Sequence, residues 1–81
     1  MVNPMDEQAI ESLLQERLPG CRLELTSEGN KLSLKIASED FEGLNRVKRQ
    51  QIIYALLDEK IKSGEIHAVS MVTQTPEEAG D

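Results

Sequence analysis

Two short alternating runs constrain this chain more than any other feature. In Arg22-Leu23-Glu24-Leu25-Thr26 and in Leu32-Ser33-Leu34-Lys35-Ile36-Ala37, apolar and polar residues take turns. That is the period of a strand with one face buried and the other wet. Ser27-Glu28-Gly29-Asn30 lies between the runs and has the residues of a tight turn. A β-hairpin with one buried face is therefore predicted.

The segments on either side have helical spacing. Asn3-Pro4-Met5-Asp6 reads as a helix start: Asn3 caps, Pro4 takes the first helical position, and Asp6 and Glu7 fall where the dipole favours negative charge. Ile10, Leu13, Leu14 and Leu18 then form one apolar stripe, and Pro19-Gly20 ends it. After a connector, Ser38 to Asn45, holding the lone Phe41 and Gly43, a long helix is expected over roughly Arg46 to Lys62, stopped by Ser63-Gly64. At about 100° per residue, Val47, Ile53, Tyr54, Leu57 and Ile61 share a face. Ile52 and Leu56 fall to another side, beside Lys48, Arg49 and Lys60. They either pack on the first helix or form a docking surface. A last run, Glu65 to Thr73, is rich in Ile, Val and Thr with weak alternation, which suits a strand partly covered on both faces. A right-handed crossover makes it parallel to its neighbour in the hairpin. Thr75-Pro76-Glu77-Glu78 can open a short final helix, and residues 76–81 are a candidate disordered tail.

The order helix, strand, strand, helix, strand is an α+β arrangement of type II K-homology kind, with a three-stranded mixed sheet packed on helices. With 81 residues there is room for one domain and one modest core. One cysteine excludes an internal disulfide and favours a reducing compartment. No apolar run has the length of a membrane span, and Met1–Met5 lacks the blocks of a signal peptide, so a cytoplasmic location is expected.

Chemistry-bearing residues are few. The only histidine, His67, and the only cysteine, Cys21, are 46 positions apart, and no nucleophile, base and orienting group stand out together. No glycine-rich phosphate loop occurs, and Cys21 with His67 is too few ligands for a metal cage built by this chain alone. Arg46, Lys48 and Arg49 form a basic knot in a chain of net charge −6. A solvated helix face accounts for the knot simply; nucleic acid is the functional alternative. The Gly-x-x-Gly loop that clamps a nucleic-acid backbone in K-homology modules is replaced by Phe41-Glu42-Gly43-Leu44-Asn45-Arg46. His67, between Ile66 and Ala68, reads either as a half-buried, hydrogen-bonded strand residue or as a ligand, since imidazole is the commonest metal ligand.

Taken together, Phe41-Glu-Gly-Leu-Asn-Arg-Val-Lys-Arg-Gln-Gln-Ile-Ile-Tyr54, Ile66-His-Ala-Val-Ser70 and Thr75-Pro-Glu77 resemble the BolA family, most nearly its bacterial BolA-like branch. The likeness covers nearly the whole chain. It implies the αββαβ fold, no enzymatic activity, and partnership with a monothiol glutaredoxin through a shared [2Fe–2S] cluster in iron–sulfur or iron regulation; some members are DNA-binding transcriptional regulators. The family's histidine ligand matches His67. Its second ligand, a Cys or His in the loop joining the first two strands, aligns with Lys31, which in its protonated form is no soft ligand, while Cys21 lies before the first strand and suits a small buried apolar role. The cluster is then weak, or held from this chain by His67 alone, or absent with glutaredoxin binding retained.

The expectation is an adaptor, a monomer alone or a weak homodimer, without a membrane. His67, Arg46, Ile52 and Leu56 meet the glutaredoxin, and His67 is the metal ligand. The competing reading is a DNA-binding regulator using Arg46, Lys48 and Arg49. A structural oligomerisation module is the third.

Overall fold

The computed structural model describes residues 5–80. Helix α1 spans Glu7–Arg17, strands β1 and β2 span Arg22–Glu28 and Lys31–Ala37, and a 3₁₀ turn covers Glu39–Phe41. Helices α2, Arg46–Leu56, and α3, Asp58–Lys62, follow, and strand β3, Ala68–Gln74, ends the series. The sheet order is β1-β2-β3. β1 pairs antiparallel with β2, Glu28 opposite Lys31, and β2 pairs parallel with β3, Lys31 opposite Ala68 and Ala37 opposite Gln74. The α+β, K-homology-like arrangement expected from the element order is the one observed.

The hairpin closes through a two-residue loop. Gly29, at φ +61°, occupies its first central position, where a twisted hairpin of this length needs a positive φ. Leu32, Leu34 and Ile36 point into the core with Ile10, Leu14, Phe41, Ile53, Leu57 and Ile66, all close to fully buried. Each such side chain contributes roughly 1.5–3 kcal/mol by leaving water. The opposite sheet face is open, and there Glu24 stands across from Lys35 and Glu28 across from Lys31. β3 alternates cleanly, with Ala68, Ser70 and Val72 on the open face, so it is covered on one side and not on both.

Several element readings change. The helix start moves from Asn3, which with Pro4 lies outside the described residues, to Asp6, whose backbone is extended and whose carboxylate accepts the Ala9 amide at 3.1 Å. Met5 precedes that cap and joins Ile10 in the core, an apolar pair across the cap that fixes where the chain enters the helix. The long helix is divided at Leu57, whose ψ of 6° departs from helical geometry while its amide still reaches the Ile53 carbonyl at 3.0 Å. Leu57 itself is fully buried. Val47 and Tyr54, expected inward, are 60% and 44% exposed. The inward stripe runs Arg49, Ile53, Leu57 at i, i+4, i+8, and a stripe drawn from apolar residues alone is rotated away because its first inward position is an arginine. Residues 76–80 form turns and no regular helix.

Candidate functional site

His67 sits one residue before β3, beside the hairpin turn, and not within the strand as expected. Ile66, 1% exposed, is the peg that fixes this segment, and its amide is held by the Lys60 carbonyl at 3.1 Å. The residue after an inward peg in extended chain turns outward, and the His67 ring is exposed. The His67 amide donates to the Asn30 carbonyl at 2.7 Å, and the Asn30 side-chain nitrogen lies 3.0 Å from His67 Nδ1. Gly64, at φ +85°, borders the other ring nitrogen: a Cβ there would stand 3.7 Å from Nε2. A left-handed glycine with no side chain therefore keeps that flank clear.

Lys31, the position at which the sequence resemblance would put a second ligand, begins β2 at this same end and is exposed. Cys21 is at the other end. It precedes Arg22, which pairs with Ala37, so the length of β1, about 20 Å at roughly 3.3 Å per residue, separates it from the hairpin turn. Cys21 is half-buried against the core, and burial pushes its thiol above its ordinary value, leaving it protonated and poorly suited to bind metal. Among the described residues no three His, Cys, Asp or Glu side chains converge to hold an ion. This donor set fits a metal centre that takes one imidazole from this chain and its other ligands elsewhere. It does not fit one held twice from this chain.

The basic knot is not one patch. Arg49 turns inward, with its side chain 13% exposed. Its Nε donates to the carbonyls of Phe41 at 3.1 Å and Leu44 at 2.8 Å, and one terminal nitrogen reaches Thr73 O at 3.4 Å and Glu78 at 2.7 Å. Glu78 is set by a reciprocal turn, accepting from the Thr75 amide at 2.9 Å while Thr75 Oγ1 accepts from the Glu78 amide at 3.2 Å. Arg49, through its hydrogen bond, and the Thr75 amide hold the Glu78 carboxyl below its usual range. Arg46 and Lys48 remain exposed on the first turn of α2, which Asn45 caps by accepting the Lys48 amide at 2.9 Å. The nucleic-acid set expected from the sequence thus loses Arg49, its last member, to the fold.

The expected partner set is spread out. From Arg46 to Lys62 the helical segments advance about 24 Å, at 1.5 Å per residue, so Arg46 lies at the far end of the molecule from His67. Ile52 and Leu56 are half-buried and pack on the core, with Leu56 lining a shallow groove beside Leu13 and Arg17 of α1. That is the packing alternative. Two residues escaped the sequence reading. Asn30 has the sequence signature of a turn former alone, and its link to His67 spans 37 positions. Glu78 had one visible signal, the Thr-x-x-Glu spacing of a capping turn.

The helix, hairpin, helix and parallel strand, with an exposed histidine where the third strand begins, define a small K-homology-like protein with one exposed imidazole. The chain belongs to the family described as BolA-like protein, whose model matches residues 10–78. The acid stress protein IbaG of Escherichia coli K12 is 35% identical over 74 residues, covering 91% of this chain and 88% of that protein. BolA1 of Arabidopsis thaliana superposes with a TM-score of 0.80 at 32% identity, over 96% of this chain and 98% of that one. The BolA domain of Arabidopsis SufE1 gives 0.82 at 34% identity, over 88% and 92%.

Proposed function

We infer that this BolA-family protein is a non-enzymatic adaptor. It docks a monothiol glutaredoxin at the end of the sheet carrying His67, and it supplies that imidazole to a [2Fe–2S] cluster shared between the two proteins in iron–sulfur or iron regulation. The observation that carries the reading is the solvent-exposed His67 ring, hydrogen-bonded at Nδ1 and bordered at Nε2 by Gly64, which has no side chain.

The chain's own residues have limited but definite roles. Ile66 anchors the segment, Asn30 holds the ring, Gly64 keeps its flank clear, and Lys31 stands where relatives carry a second ligand. The ring's side-chain partner is an amide and not a hydroxyl, thiol or carboxylate, so the contacts favour ligation over acid–base catalysis. A cluster taking an imidazole in place of a thiolate has a raised potential, which suits a centre meant to respond or to be passed on. A BolA domain within a SufE-like protein, and a relative known as an acid stress protein, are in keeping with an iron–sulfur or stress setting.

The test is visible circular dichroism of a [2Fe–2S]-loaded monothiol glutaredoxin mixed with this protein. The native chain is expected to change the spectrum and His67→Ala to leave it near that of the glutaredoxin alone. Equal changes from both would remove the ligand role.

A further inference from the structure

An exposed histidine samples several rotamers unless something holds it. Here one residue holds it twice. The Asn30 carbonyl accepts from the amides of His67 at 2.7 Å and Ala68 at 3.4 Å, and the Asn30 side-chain nitrogen meets Nδ1 at 3.0 Å. Asn30 is itself fixed, as the second residue of a two-residue turn between the paired Glu28 and Lys31. Across the ring, Gly64 borders Nε2 and presents no side chain to it: a Cβ there would stand 3.7 Å away.

We propose that Asn30 is the positioning residue of His67: it holds the Nδ1 edge against the hairpin turn, so that Nε2 is the atom presented to an incoming metal centre. The inference deepens the adaptor reading and relies on it for the identity of the metal centre, while the geometry stands on its own.

A side-chain amide has a donating and an accepting end. When the neutral ring carries its proton on Nε2, the amide nitrogen donates to Nδ1 across this 3.0 Å contact. Ligation through Nε2 sends that proton to solvent, Nδ1 takes one from solvent, and the amide turns end for end so that Oδ1 accepts from Nδ1–H. The ring's proton count is unchanged. Asparagine therefore serves both tautomers with a rotation of one side chain. An aspartate at this place, an acceptor only, fixes the Nδ1–H form, and an alanine holds neither, because the nitrogen facing a metal is set by the hydrogen bond the other nitrogen makes.

The experiment reads long-range spectra of the ¹⁵N-labelled imidazole, without metal, in mildly alkaline buffer where an ordinary imidazole is neutral. The native protein is expected to show Nε2–H as its majority tautomer. Asn30→Asp should reverse the majority to Nδ1–H, and Asn30→Ala should shift the ratio and average the ring's contacts to residue 30 and Gly64. Backbone amide spectra establish that each variant is folded, and the isosteric aspartate answers the question even if alanine loosens the turn. A tautomer ratio unchanged by both substitutions would overturn the proposal. The outcome is separable from the adaptor reading, which fails on an unaltered glutaredoxin spectrum whatever the tautomer.

Discussion

Where β2 and β3 finish, a guanidinium is drawn inside and given acceptors on several sides: two carbonyls from the connector, one from β3 and the carboxylate of Glu78. Where the same two strands begin, an imidazole is turned outward, with one side-chain hydrogen bond and a bare glycine beside it. Both residues are cationic or can become so, and both stand at the rim of one sheet. The difference is in what remains available. Arg49 spends its donors joining the connector, the last strand and the terminal turn, which gives stability and leaves little for a ligand. His67 is held just enough to be aimed, which adds little stability and leaves a ring atom free. Charge in a sequence does not indicate which of these a residue will do; the number of acceptors the fold places around it decides.

The comparison can be broken first by stability. Arg49→Met takes one donor from each of three carbonyls, of which that of Phe41 still accepts from the Leu44 amide at 3.2 Å, and the denaturant midpoint should fall by the equivalent of about 2 kcal/mol, most of it from the carbonyls, because the half-exposed Glu78 adds little as an ion pair. Asn30→Ala should cost about 1 kcal/mol, the scale of one hydrogen bond lost at a turn. His67→Ala should stay within about 0.5 kcal/mol of the native protein, as exposed positions do. If that order is reversed, the two ends have been misassigned.

The smallest effect concerns acid. Glu78, normally near 4.5, is depressed by Arg49 and the Thr75 amide. A carboxyl depressed on folding contributes its stability in full above its unfolded value and loses it as pH falls through the folded one. Glu78→Gln should therefore be slightly less stable than the native chain at neutral pH, and its midpoint should fall less on acidification below about pH 4.5. Equal acid sensitivity of the two proteins in urea titrations would show that the pair does not matter.

Much of the fold was legible because local signals agreed with one another. The period-2 runs around Gly29-Asn30 gave the hairpin, the stripe Ile10, Leu14, Leu18 gave α1, and the crossover rule gave a parallel β3. The misreadings share a cause. Val47 and Tyr54 share an apolar face with Ile53 and Leu57 and are nonetheless exposed, because an apolar wheel cannot anticipate that an arginine takes an inward position and is satisfied there by distant carbonyls. The division at Leu57 has no breaker to announce it, since no glycine or proline stands within α2 or α3. At the site, His67 was legible as a solitary imidazole in a family motif. Asn30 was not, since nothing in a tight turn announces a histidine 37 positions later. Nor could helical position tell that Arg46 and His67 stand at opposite ends of the molecule.

The most direct test is amide chemical-shift mapping of the ¹⁵N-labelled chain against a monothiol glutaredoxin, first without and then with its [2Fe–2S] cluster. The largest changes are expected at Asn30, Lys31, Gly64, His67 and Ala68, with broadening centred on His67 when the cluster is present. Arg49 and residues 75–78 should stay in place. Changes concentrated instead on Arg46, Lys48 and the terminal turn, with His67 unmoved, would contradict the account.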